Sequence, residues 1–107
     1  MRPEIITFIL GVCKKYKFPL SLSYYPAGYQ DNKFDIYSVN LKGRSVVNFT
    51  GKNFYDLPKA MRETHFLPLI KIGMSHNLGE NSLKEQVEIP RQMGIRVIRD
   101  GALKYGV

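Results

Sequence analysis

From Leu20 to Phe49 the chain reads as three strand-like runs, separated twice by turn residues. Leu20, Leu22 and Tyr24 interleave with Ser21, Ser23 and Tyr25, the period of a half-buried strand. Pro26-Ala27-Gly28 and Asp31-Asn32 follow as turn chemistry. Two further strand-like runs, Phe34 to Leu41 and Arg44 to Phe49, meet at Lys42-Gly43. A two-residue loop there pairs Val39 with Val46 and Ile36 with Phe49. Those pairs fall on opposite faces, so either both faces are covered or a bulge shifts the register. The chain is thereby committed to antiparallel hairpins.

Helices flank this region. Pro3 suits a first helical turn, Glu4 its positive end, and Lys14, Lys15 and Lys17 the other. The intervening apolar residues leave little polar face, which predicts a mostly covered helix ended by Pro19. This apolar run is about half of what a membrane span needs, and it ends in lysines instead of a cleavage site. Thr50 to Asn53 reads as loop. Asp56 caps a predicted helix with Pro58 in its first turn, running to about His65. Phe66 to Ile72 reads as a strand, with Pro68 favouring an edge, and residues 73–81 as loop. Ser82-Leu83-Lys84-Glu85 forms a capping box for a helix limited by Pro90.

At the end of the sequence, Ile95 to Arg99 and Ala102 to Gly106 flank Asp100-Gly101, a hairpin turn dipeptide. A two-residue turn pairs Arg96 with Tyr105, on one face with Ile98 and Leu103. Arg99 and Lys104 then share the other face with Ile95 and Val97. The expected order is α-β-β-β-α-β-α-β-β: an α+β fold, a small mixed, mostly antiparallel sheet of hairpins packed with two or three helices. Residues 1–107 are read as a single compact domain. The lone Cys13 permits no internal disulfide, and an unstapled fold in a reducing, cytoplasmic setting is expected.

Little catalytic chemistry is legible. His65 and His76 stand eleven apart without cysteine or carboxylate at ligand spacing, and His65 reads as a residue after a helix end, where a proton is welcome. Thr50-Gly51-Lys52 lacks the glycine spacing of a phosphate loop. Asp35, Asp56 and Glu63 could serve two-metal chemistry only by converging, which no spacing implies. The expectation is a protein without metal or cofactor that leans away from enzyme activity.

Charge and rings point to binding. Lysine and arginine outnumber aspartate and glutamate by sixteen to nine, a formal charge of +7. Cations hold a nucleic-acid backbone while aromatic rings stack on unpaired bases. Lys42, Arg44, Arg96, Arg99 and Lys104 are the candidate phosphate contacts. Tyr25 and Tyr29 are the candidate stacking rings, because Tyr24, Phe34 and Ile36 read as core and Tyr37 depends on the register. The competing class is a protein-binding, inhibitory or adaptor module acting through the tyrosine-rich loop, since tyrosine buries area at low entropic cost. Exposed strand edges would also permit a homodimer.

Overall fold

A computed structural model describes residues 2–78, 95–97 and 103–105. Helix α1 (Pro3–Lys15) is followed by β1 (Ser21–Tyr25), β2 (Ile36–Leu41), β3 (Arg44–Thr50), α2 (Gly51–Asp56), α3 (Arg62–Leu78), β4 (Ile95–Val97) and β5 (Leu103–Tyr105). The strands form one sheet in the order β1-β2-β3-β5-β4. Every described pairing is antiparallel except β3 with β5. The fold is α+β, as the alternation and hairpin signals imply.

The β2–β3 hairpin resolves its register by a bulge. Lys42 and Gly43 both take positive φ, 51° and 80°, the conformation of a two-residue type I′ turn. Leu41 pairs with Arg44 and Asn40 with Ser45, but Val39 then pairs with Val47, not with Val46. Val46 is the extra residue. The shift carries Tyr37 opposite Phe49, and Ile36 opposite Thr50. Ser45 and Asn48 thus share one face, while Val46, Val47 and Phe49 are all buried on the other.

That apolar face meets the helices. α1 buries Ile5, Ile9, Val12 and Cys13, spaced as one helical stripe, and leaves Leu10 and Gly11 exposed. The expected near-complete covering of this helix is therefore limited to one side. Burial raises the pKa of the Cys13 thiol, disfavouring the reactive thiolate. Tyr37 and Phe49 stack at 5.5 Å and 14°, and Phe49 lies 4.9 Å from Phe66 of α3. The Tyr37 hydroxyl accepts a hydrogen bond from the Arg2 backbone N–H at 3.1 Å, fastening the start of α1 to β2.

Four expectations fail between Thr50 and Leu78. Thr50 to Asn53 is no loop: Thr50 caps α2, its hydroxyl accepting from the Asn53 N–H while the Asn53 side chain accepts from the Thr50 N–H. Asparagine at the third position does the task that glutamate or glutamine performs in the usual box. Asp56 consequently ends α2 instead of opening a helix. Phe66 to Ile72 is no strand either. It lies inside α3, and so do residues 73–78, expected as loop. Phe66, Leu69 and Ile70 are buried, and Gly73 sits against the sheet, a spacing of three, four and seven. Pro68 costs one intrahelical hydrogen bond, and burial of this stripe outweighs it. The capping box at Ser82 and its helix lie outside the described residues.

A buried arginine joins the helices. The Arg62 guanidinium donates through Nε to the Phe54 carbonyl at 3.2 Å, and through an η nitrogen to Glu4 at 3.3 Å. It also lies 4.2 Å over the Phe54 ring. A guanidinium so nearly removed from water needs these partners, since an unpaired buried charge is costly.

Gly73 lets α3 approach β3. A β-carbon at this position would press on the Val46 carbonyl oxygen and lie 3.0 Å from its carbon, so Gly73→Ala requires the helix to shift. At exposed Gly11 on α1 an added β-carbon meets nothing. Urea unfolding should show Gly73→Ala destabilised by at least about 1–3 kcal/mol, whereas Gly11→Ala gains up to about 1 kcal/mol from helix propensity.

Candidate nucleic-acid interface

The two faces of the sheet differ in chemistry. Residues that share ladder positions point the same way, so the pairings assign each face. Opposite the core lies a central row formed by Ser23, Ser38 and Asn48 on β1, β2 and β3. By register the row continues to Lys104 of β5 and Arg96 of β4. Ser21, Asn40 and Ser45 form a row to one side of it; Tyr25, Ile36 and Thr50 form another on the far side. No carboxylate occupies these positions.

The hydroxyls and amides bind one another. Asn40 Nδ2 donates to Ser23 Oγ at 2.8 Å, and Ser38 Oγ donates to Asn40 Oδ1 at 3.0 Å. Ser38 Oγ and Ser45 Oγ are 2.7 Å apart, and Ser45 Oγ bonds in turn to the Asn48 side chain. The polar row is thus a connected chain across three strands, each link holding its neighbour's rotamer.

The β1–β2 connection adds rings at one corner of this face. Tyr25, as the strand period implied, and Tyr29, as its place between turn clusters implied, are exposed, with ring centroids 5.4 Å apart and planes inclined by 31°. Gly28 at φ 93° opens the short helical turn Tyr29–Asp31, and its N–H donates to the Asn32 carbonyl at 2.7 Å. Gln30 and Asp31 also take positive φ, at 49° and 63°, which costs non-glycine residues energy. The connection holds Tyr29 against Tyr25 at that expense. Phe34 overturns its assignment to the core: it is 55% exposed. Its parity matched a strand, but β2 begins only at Ile36, so nothing obliges Phe34 to point inward. Tyr37, ambiguous by sequence, is fully buried, and Tyr24 packs against the core.

The candidate cations divide between two places. Lys104 pairs with Arg96, whereas Tyr105 pairs with Ile95 and Leu103 with Val97. The expected Arg96–Tyr105 pair is therefore not formed. The register lies one residue from that set by a two-residue Asp100-Gly101 turn, so Arg96 and Lys104 share one ladder position. Arg99 lies outside the described residues. Lys42 and Arg44 stand apart from the rings. Arg44 pairs with buried Leu41 on the core side, five positions along β2 from the partner of Tyr25. That separation is about 17 Å at the rise of a strand.

The carboxylates once considered for metal chemistry are held separately. Asp35 lies 3.8 Å from Arg2, Asp56 2.6 Å from Lys52, and Glu63 3.1 Å from Lys15. Asp35 also accepts the Gly51 N–H at 3.4 Å. Among the described residues no group of three or more histidine, cysteine, aspartate or glutamate side chains could hold a metal ion, and no helix is long and apolar enough to cross a membrane. Scanned against family models, curated proteins and solved structures, the chain has no match.

Two positions give measurable consequences. Lysine is strained at the left-handed φ of the β2–β3 turn, and Asn-Gly is the preferred dipeptide there. Lys42→Asn should raise unfolding stability by about 1 kcal/mol, measured by urea denaturation. His65 does not follow a helix end; it lies in the first turn of α3, where the helix dipole opposes a proton. Burial lowers its pKa below the ordinary value. As pH falls through about 6.5 the unfolded chain takes up this proton first, so the stability contributed by neutral His65 is lost from there down to its folded pKa. Denaturation at about pH 8 and about pH 5 should show His65→Gln losing less stability on acidification than the parent protein.

Proposed function

We propose that this chain is a nucleic-acid-binding domain that works without catalysis, through the sheet face opposite the helices. The observation that carries the reading is the composition of that face. At its described ladder positions it offers hydroxyls, amides and two cation positions and no carboxylate, with an exposed ring pair at its corner. A phosphate backbone is attracted to such a surface and meets no opposing charge at these described positions. Lys104 and Arg96 are the phosphate contacts in this reading, with Tyr25 and Tyr29 as the stacking rings. Lys42 and Arg44, at the far turn, add long-range attraction rather than contacts. The formal charge of +7 favours approach to any polyanion.

A protein-binding module is the second reading, favoured by Phe34: an exposed apolar ring in the connection that also carries exposed Tyr29 resembles a contact surface more than a solvated loop. The two readings differ in salt dependence, since counterion release dominates only the first. Fluorescence titration with labelled oligonucleotides should give binding tighter than about 100 μM at low salt, weakening steeply as salt is added. Absence of binding at that level would overturn the nucleic-acid reading. Affinity for a captured protein that ignores salt and collapses with Tyr29→Ala would support the second.

A further inference from the structure

We infer that the ligand of this face is a single strand, laid across the β-strands from the Tyr25–Tyr29 corner towards Lys104 and Arg96, and bound with little base preference. The inference rests on the nucleic-acid reading and narrows it in three respects.

The first is strandedness. At 5.4 Å and 31° the two tyrosines touch each other, so no base enters between them, which would need rings about 7 Å apart at a stacking rise of about 3.4 Å. They offer one outward platform. A base can lay its π-face on that platform only when its own stack is open, as in a single strand; a duplex keeps those faces covered.

The second is shape. The face spans five strands, about 19 Å at about 4.8 Å per gap. That exceeds a major groove of about 12 Å, so the sheet as a whole cannot enter a duplex to read base edges. The same width suits a short extended segment of about four nucleotides, the low end of what one such domain covers. Tyr25 and Lys104 stand on different rows of the ladder, so the path crosses the sheet diagonally.

The third is specificity. Ser23, Ser38, Asn40, Ser45 and Asn48 lie along the path, but their hydrogen-bonding groups are largely engaged with one another. To turn one of these bonded atoms to a base edge, a side chain would have to leave this chain. Stacking and charge therefore dominate, and both tolerate any base.

The test uses the full protein and fluorescence anisotropy with labelled mixed-sequence single strands of about twelve nucleotides, alongside a hairpin duplex of the same sequence. Titrations run between about 50 and about 200 mM salt. The single strand should bind at least about tenfold more tightly than the duplex, and single strands of different sequence should bind within about threefold of one another. Tyr25→Ala with Tyr29→Ala should weaken single-strand binding by about tenfold or more without changing the salt slope. Tyr25→Phe with Tyr29→Phe, which keeps the rings, should restore it. Lys104→Gln should instead reduce the slope of log affinity against log salt by about 0.7. Both tyrosines are exposed, so circular dichroism should show the variants folded.

Equal or tighter duplex binding, or single-strand binding indifferent to loss of both rings, would overturn the inference and leave the nucleic-acid reading standing. A strong preference among sequences would overturn its third part. No binding to either form would overturn both.

Discussion

The bulge at Val46 is the constraint on which the molecule turns. Without it, strict alternation along β3 would place one of two adjacent valines on the polar face. With it, both enter the core, and Ser45 and Asn48 remain together on the other side. Bulges occur where a strand must re-aim its side chains. Here one extra residue separates a core of valine and aromatic rings from a surface of hydroxyls and amides. It also places the Val46 carbonyl against Gly73, so α3 can lie close to β3 only because its contact residue has no side chain.

A second constraint acts at the helix ends. Arg62, nearly removed from water, links Glu4 of α1, the Phe54 carbonyl of α2 and its own helix. Arg2 and Asp35 extend the set to the start of β2, and the Gly51 N–H at the start of α2 finds its acceptor in Asp35. Exposed ion pairs contribute little on their own. This group matters through the groups it satisfies: a buried guanidinium, a carbonyl and a helix-terminal N–H, each costly if left alone. The ion pairs of this group thus explain architecture, while the cation positions of the proposed interface stand in the ladder row of Asn48.

The sequence made some of this visible. Period-two spacing located β1 and assigned Tyr25 to the serine face. Lys42-Gly43 located the hairpin turn, and the clash between its two pairings announced the bulge. Other elements were hidden by rules that usually hold. Pro68 made a helical stripe look like a strand, although Phe66, Leu69, Ile70 and Gly73 carry the helical spacing once a glycine is counted as a contact residue. Asn53 stood where a capping box normally has a longer side chain. Phe34 followed the parity of a strand that had not begun. The proposed binding face was less legible still. Its rows join residues from strands far apart in sequence, and a change of one residue in the β4–β5 register decides whether the cations gather or scatter.

The parallel pairing of β5 with β3 has a consequence for how that face comes into being. β1, β2 and β3 follow one another closely, so the ring corner and the hydroxyl chain need only short loops to close. Lys104 reaches Asn48 only after a closure of more than fifty residues, past α2 and α3. One half of the surface is therefore assembled from local contacts and the other from the most widely separated of the described strand pairings. A substitution that weakens only the distant pairing would leave the ring corner in place without the β5 positions, so completing the fold and completing the proposed ligand surface are the same event.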